Sequence, residues 1–142
     1  MINIETKRMI MCIEYEVENR KLKLPETKNE DMNLLKLKPS LGINFYEKEN
    51  IKNKICHINL SDSKRRLEIS YGIDNKQLEN QKYMKEGVLA FINWLFAETD
   101  EKELHARIYD NDKSQHILES LGFIENGKAE YGEQWFTLRK NI

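Results

Sequence analysis

Residues 104–123 constrain the fold of this chain more than any other segment. Apolar and polar side chains alternate along residues 104–109, which is the period of a strand that packs on one side. The polar run at residues 110–112 then offers several side chains that can cap a helix. Gly122 stands where a glycine in the left-handed conformation would end that helix. The segment therefore predicts a strand, a capped turn, a short helix and a glycine stop.

Strand and helix patterns continue along the rest of the chain. The predicted elements are a first strand at residues 5–13, a short helix between Thr27 and Pro39, a hairpin of residues 43–46 and 54–60 around a polar turn, a strand at residues 67–73 after a loop at 61–66, an amphipathic helix from Met84 to Leu95, and a last hairpin of residues 123–129 and 134–140. This order predicts one domain over residues 1–142, of mixed α/β (α+β) class, with helices packed on a mixed sheet.

Charge and cysteine content exclude several classes of protein. Lys and Arg number 23 and Asp and Glu number 24, so no net positive field attracts nucleic acid or an anionic membrane. Cys12 and Cys56 are too few and too far apart for a disulfide framework or a zinc site, and both are expected to be buried thiols. His57 adjoins Cys56, but neighbours on a strand point to opposite faces, which argues against a catalytic Cys–His pair.

The expected location follows from targeting and membrane signals that the sequence lacks. The N-terminal residues carry no apolar signal-peptide region, and no run of about 18 apolar residues could span a bilayer. The three histidines are scattered without the spacing of a metal site. We therefore expect a cytoplasmic monomer or homodimer with no metal, no membrane and no nucleic-acid partner.

Three short motifs resemble those of the GNAT acetyltransferases, in particular the branch that acetylates ribosomal-protein N-termini. Asn111 and Ser114 lie in a strand–Asn-x-x-Ser–helix–Leu-Gly-Phe segment, residues 5–11 follow a Glu-Thr-x-Arg-Leu-x-Leu opening, and residues 83–86 read Tyr-Met-x-Glu. The resemblance implies the GNAT fold, a single domain whose central, twisted, mostly antiparallel mixed sheet is flanked by helices. It also implies acetyl-CoA as co-substrate and a primary amine as acceptor: a protein N-terminus, a polyamine or a small-molecule amine.

The loop that would hold the cofactor departs from the family pattern. A pyrophosphate is bound by backbone N–H groups at a helix start, and in the family this loop is rich in glycine. Here Asn80 and Lys82 stand at the glycine positions. The ammonium groups of Lys82 and Lys85 could replace lost N–H contacts by direct charge pairing. The cofactor-binding residues that the resemblance implies are Tyr71, Gly72, Ile73, Asn80, Gln81, Lys82, Tyr83, Met84, Lys85, Asn111 and Ser114.

The same resemblance implies candidates for the chemistry. The oxyanion donor would be a backbone N–H near Gly72. Glu68 would take the amine proton through water, or would instead form a cross-strand ion pair. Ser114 would donate a proton to the thiolate, contact pantetheine, or simply be a hydroxyl in the first turn of a helix. Asn111 would contact the pantetheine amides or act only as an N-cap. Leu118 occupies the position of the family's tyrosine acid.

Two other functions remain compatible with the sequence. The glycine-poor loop and the short N-terminal helical region would suit a catalytically degenerate GNAT-fold module with a binding or regulatory role. A small α+β interaction domain that does not bind CoA would also fit, if the loop match is coincidental. Stabilisation by acetyl-CoA separates these alternatives, because a ligand that binds only the native state raises the unfolding midpoint.

Overall fold

The computed structural model describes residues 2–14, 41–63, 66–99 and 101–141. The elements are β1 (Ile2–Glu5), β2 (Met9–Glu14), β3 (Leu41–Glu47), β4 (Asn50–Ser63), β5 (Arg66–Ile73), a 3-10 turn (Lys76–Leu78), α1 (Tyr83–Glu98), β6 (Glu103–Ile108), α2 (Asp112–Ser120), β7 (Ile124–Lys128) and β8 (Gln134–Arg139). The helix predicted between Thr27 and Pro39 lies outside the described residues.

All eight strands form one sheet in the order β1-β2-β3-β4-β5-β6-β8-β7. Neighbouring strands are antiparallel except β5 and β6, which run parallel with Glu68 opposite His105. Helix α1 connects these two parallel strands. Because parallel strands end at the same sheet edge, the chain leaves β5 and β6 at one place, and α1 and α2 both begin there.

The core lies between the sheet and the helices. Ile43 and Phe45 of β3 and Val88, Phe91 and Leu95 of α1 are completely buried. The period-2 and period-3.6 patterns of the sequence thus place their apolar residues as predicted. A Cβ at Gly87 of α1 would lie 3.2 Å from the Phe45 ring, so glycine lets the helix approach the sheet closely.

Three boundaries differ from the prediction. The single first strand is instead the β1–β2 hairpin, because Thr6 closes a turn: its backbone N–H donates to the Met9 carbonyl at 2.8 Å and its Oγ1 accepts from the Met9 N–H at 2.9 Å. Strand β4 starts at Asn50, which shortens the predicted polar turn before it. Strand β4 also continues to Ser63, so the predicted loop at 61–66 is largely strand.

The predicted caps of α2 are present. The Asn111 side chain accepts from the Ser114 N–H at 3.1 Å, which makes Asn111 the N-cap. At the other end Gly122 has φ +97°, and the N–H of Phe123 donates to the Leu118 carbonyl at 3.0 Å. The N–H of Gly122 donates to the carbonyl of Glu119, which completes a Schellman motif.

The two strands of the last hairpin lie in the sheet in the reverse of their order along the chain. Strand β8 lies between β6 and β7, so β7 forms the edge of the sheet. Trp135 on β8 is buried, and Trp94 of α1 is buried against Phe91 with ring centroids 6.0 Å apart. Trp94 therefore packs in the core, the role that the sequence favoured, whereas Trp135 is buried outside the core cluster, with Arg66 and Arg107 4.4 and 5.1 Å from its ring centroid.

Candidate active site

A cavity of about 440 Å³ opens where β5 and β6 end and where α1 and α2 begin. Ten of the predicted site residues line it: Tyr71, Gly72, Ile73, Asn80, Lys82, Tyr83, Met84, Lys85, Asn111 and Ser114. Glu68 and Gln81 are the predicted residues that do not. Seven lining residues were not predicted: Lys76, Leu78, Glu79, Lys113, His116, Ile117 and Ser120. Most of these lie one helical turn or less from a predicted position.

The start of α1 is uncapped. Lys82 is its N-cap residue, with φ +64° and ψ +16° and no side-chain hydrogen bond to the helix. The first intrahelical bond runs from the Glu86 N–H to the Lys82 carbonyl at 3.1 Å. The N–H groups of the three residues between Lys82 and Glu86 therefore have no acceptor within the helix. Uncapped donors and the helix dipole together favour an anion at this end of the cavity.

The loop before α1 keeps a glycine-like backbone without glycine. Asn80 has φ +70° and Lys82 has φ +64°. Among the described residues, the only other non-glycine residue with positive φ is Asp110, immediately before the α2 cap. Asn tolerates this conformation, whereas a lysine there costs roughly 1–2 kcal/mol. The two positions that the resemblance matches to glycines are therefore the two that adopt the glycine conformation.

Across the cavity from the start of α1, a hydrogen bond joins β5 to α2. The Tyr71 hydroxyl donates to the Ser114 carbonyl at 2.9 Å. Burial raises the pKa of Tyr71 to about 12, so the phenol stays protonated and keeps this bond across the physiological range. The Asn111 side-chain oxygen is occupied by the cap, which leaves its amide N–H groups for a ligand. Asn111 is thus an N-cap that also lines the cavity.

Glu68 forms the cross-strand ion pair that the sequence left open. It is buried, and its Oε2 accepts from Arg107 Nε on β6 at 2.8 Å. This hydrogen bond is the main reason that the pKa of Arg107 lies above its ordinary value. Glu68 Oε1 has no hydrogen-bond partner among the described residues. Glu68 does not line the cavity, and alternation along β5 puts its side chain on the face opposite Tyr71.

A histidine–aspartate pair lies directly behind the cavity wall. His57 on β4 is paired in register with Gly72 on β5. Its Nδ1 lies 3.0 Å from Asp74 Oδ2, and Lys54 Nζ is 3.8 Å from the same oxygen. A Cβ at Gly72 would lie 3.1 Å from His57 Cε1. Sequence reasoning missed this pair, because the β4–β5 register that brings His57 to Gly72 is a tertiary property.

The β1–β2 hairpin holds the first turn of α1. The Glu86 carboxylate accepts from the Arg8 N–H at 2.9 Å, from Arg8 Nε at 2.7 Å and from the Thr6 hydroxyl. Burial acts to raise the pKa of Glu86, but the bonds from Thr6 and Arg8 outweigh it and leave the pKa below its usual value. Arg8 also lies over the Tyr83 ring, 3.8 Å from its centroid. Two of the family-like motifs, at residues 5–11 and 83–86, therefore contact each other.

Cys56 is not suited to nucleophilic chemistry. Burial, followed by the nearby charges of Asp74 and Glu86, raises the pKa of its thiol to about 12, so it stays protonated. Within the described ranges, no group of three or more His, Cys, Asp or Glu side chains is placed to hold a metal ion. No helix in the same ranges is both long and apolar enough to cross a membrane.

Comparison with known proteins connects this geometry to a family. A family model described as "Acetyltransferase (GNAT) domain" matches residues 21–124, more than half of the chain. A search of the curated proteins found no match to the sequence.

Solved structures share the fold at low sequence identity. Ribosomal-protein-S5-alanine acetyltransferase from Vibrio fischeri is 16% identical with a TM-score of 0.70, covering 98% of this chain and 97% of its own. An acetyltransferase from Agrobacterium tumefaciens is 13% identical with a TM-score of 0.74, covering 99% and 95%. The spermidine/spermine N-acetyltransferase from Vibrio cholerae is 15% identical with a TM-score of 0.61, covering 72% and 68%. At these identities the likeness shows the fold alone.

Proposed function

Because the chain belongs to the GNAT acetyltransferase family, we propose that it transfers the acetyl group of acetyl-CoA to a primary amine. The observation that carries this proposal is the uncapped start of α1 at the mouth of the cavity, with Asn80 and Lys82 at positive φ. A helix start without a cap offers N–H donors to a pyrophosphate.

The charges around the cavity suit the same ligand. Four lysines line it, at positions 76, 82, 85 and 113, against the single carboxylate of Glu79. Glu79 pairs with Lys113 at 3.6 Å, which leaves three lysines without a counter-charge on the cavity wall. A polyanion such as CoA would enter a positive field there.

Other residues that line the cavity suit the pantetheine arm. Ile73, Leu78 and Ile117 contribute apolar surface, while Asn111 and Ser114 contribute polar groups. We assign the oxyanion donor to a backbone N–H near Gly72, and we keep the Ser114 hydroxyl as a candidate proton donor for the leaving thiolate. When bound, acetyl-CoA supplies the activated acyl group, and the chain's own residues orient it.

The acceptor amine that we propose first is a peptide N-terminus. The motifs at residues 5–11, 83–86 and 111–123 are similar to the ribosomal-protein branch of the family. The Vibrio fischeri enzyme, named for the alanine of ribosomal protein S5, also aligns over nearly the whole chain, whereas the polyamine enzyme aligns over 72% of it. Polyamines and small-molecule amines are the alternatives.

Thermal unfolding with acetyl-CoA, with CoA and with ADP as a control anion tests the binding step. We expect acetyl-CoA and CoA to raise the midpoint substantially more than ADP does. Thiol release would then be followed with peptides that begin with Ala or Ser, and with spermidine and spermine. No stabilisation at millimolar acetyl-CoA would point to an interaction domain, and binding without transfer to any acceptor would point to a degenerate module.

A further inference from the structure

We propose that His57, oriented by Asp74, is the general base that takes the proton from the acceptor amine. This assignment rests on the acetyltransferase activity proposed above. It moves the base from Glu68, where the family resemblance put it, to a pair of residues on β4 and in the turn after β5.

The hydrogen bond between the two side chains sets the tautomer of the histidine. An ionised carboxylate only accepts hydrogen bonds, so His57 Nδ1 donates to Asp74 Oδ2 over their 3.0 Å contact. Nε2 then carries the free lone pair of the neutral ring. A histidine whose second nitrogen is held by a carboxylate in this way is the arrangement of an oriented general base.

The ring of His57 does not itself line the cavity, but it packs against a residue that does. His57 lies across from Gly72, whose backbone lines the cavity. A Cβ built on Gly72 would stand 3.1 Å from Cε1 and 3.5 Å from Nε2 of His57. A side chain at position 72 would therefore crowd the imidazole, which would have to shift by a few tenths of an ångström. Gly72 therefore joins the site of the acetyl group to the site of the base.

The alternative bases are less suited to the role. Glu68 is held by Arg107 at 2.8 Å, and the same guanidinium lies 3.6 Å from Glu133. A carboxylate in an ion pair must give up that pair when it accepts a proton. The charged groups near His57 are Asp74 and Lys54, while β3 places the uncharged Asn44 opposite it.

The proposed step balances as follows. Nε2 of His57 takes one proton from the ammonium form of the acceptor. The amine nitrogen then forms a bond to the acetyl carbon while the C–S bond breaks and leaves its electron pair on sulfur. A second amine proton ends on the thiolate, and the proton on His57 passes to solvent, since 32% of its side-chain surface is exposed. One ammonium and one thioester become one amide, one thiol and one proton.

The first test compares His57→Gln with the wild-type protein. We expect the stabilisation by acetyl-CoA to be unchanged and thiol release to fall about a hundredfold, both with the peptide acceptor and with water as acceptor. In His57→Ala, imidazole added to the solution should restore part of the rate, which a merely structural histidine would not show. Asp74→Asn should give a smaller loss that imidazole does not restore.

A second readout needs neither ligand nor turnover. In the ligand-free protein, long-range ¹H–¹⁵N spectra should show His57 with its proton on Nδ1 in the wild type and a tautomer mixture in Asp74→Asn. A wild-type proton on Nε2 would overturn the assignment.

The outcomes separate the two proposals. If wild-type protein releases no thiol, the proposed function fails. If the wild type releases thiol and His57→Gln releases it at the same rate, only the assignment of His57 fails. The same holds if the rate of thiol release falls a hundredfold in Glu68→Gln but not in His57→Gln. Loss of acetyl-CoA stabilisation in His57→Gln would likewise overturn a role in proton transfer.

Discussion

Helices α1 and α2 both begin at the cavity, but their starts are built differently. The start of α2 is capped by the Asn111 side chain, which occupies the Ser114 N–H. The start of α1 has Lys82 in the left-handed conformation and no side-chain cap. The start of α2 thus has one of its donors satisfied by the chain itself, whereas the start of α1 leaves its donors for an external group.

The difference indicates which helix start can bind an anion. At the start of α2, the Ser114 N–H already donates to the Asn111 side chain and is not available to a ligand. The uncapped start of α1 keeps its donors and adds strain at Lys82, and strained residues persist where the surrounding structure and function require them. The same contrast supports the proposal that pyrophosphate binds at the start of α1 and the neutral pantetheine arm on the side of α2.

Reversing the charge at the start of α1 should have the largest effect. Lys82→Asp removes a charge-assisted contact and places a carboxylate beside the bound phosphates, so acetyl-CoA affinity should fall on the order of a hundredfold. Calorimetry measures this. Lys128→Asp makes the same charge change at an exposed position of β7 and should leave the affinity nearly unchanged. Equal losses in the two variants would show a general charge effect without a phosphate site at α1.

Removing the lysine side chain should have opposite effects on binding and stability. Lys82→Gly loses the ammonium, so acetyl-CoA affinity should fall about tenfold and the wild-type affinity should fall with added salt. The same variant relieves the positive φ and should unfold at a higher temperature.

Asn80→Gly relieves a positive φ without removing charge and is the matched control. Tighter binding by Lys82→Gly would mean that the lysine blocks the site, and would favour the degenerate module.

Glu86, in the first turn of α1, ties this helix to the β1–β2 hairpin. Because bonds from Thr6 and Arg8 lower the pKa of Glu86 below its ordinary 4.5, its stabilising contribution is complete above that value. The contribution is lost as the pH falls through the lowered pKa. Glu86→Gln should cost about 1.5 kcal/mol at neutral pH and flatten the acid limb of the stability curve.

Denaturant unfolding at pH 3 to 7 measures both effects of Glu86→Gln. Glu103→Gln is the control, because it breaks the exposed pair with Arg139 and should cost within about 0.5 kcal/mol. A pH-independent loss in Glu86→Gln would contradict the charged role.

The smallest effect is expected at the α2 cap. Asn111→Ala should cost about 1 kcal/mol of stability and should weaken acetyl-CoA binding by more than that loss. Asn111→Asp keeps an oxygen for the cap but removes the amide N–H groups, so it should retain stability and still weaken binding. Unchanged affinity in both variants would leave Asn111 as an N-cap alone.

Local signals were readable from the sequence because their partners lie a few residues away. The cap at Asn111, the Schellman glycine at Gly122 and the buried face of α1 were predicted in this way, and the structure contains them. The mixed sheet and the family followed from the order of such elements and from the short motifs. Ten predicted site residues line one cavity, but their roles remain predictions.

Other features were decided by contacts between distant residues. The Thr6 turn that splits the first strand lies against Glu86. The ion pair of Glu68 needs Arg107, which lies 39 residues further along the chain. The proximity of His57 to Gly72 depends on the β4–β5 register.

The sequence by itself determined the periodic burial, the ends of α2 and, apart from the split first strand, the order of the described strands and helices, because each depends on neighbours along the chain. Tertiary structure alone decided which charges pair, which helix start stays open and which strand faces meet. A lysine in the left-handed conformation at the start of α1 shows the difference: lysine has no intrinsic preference for that backbone, so only the packed loop holds it there.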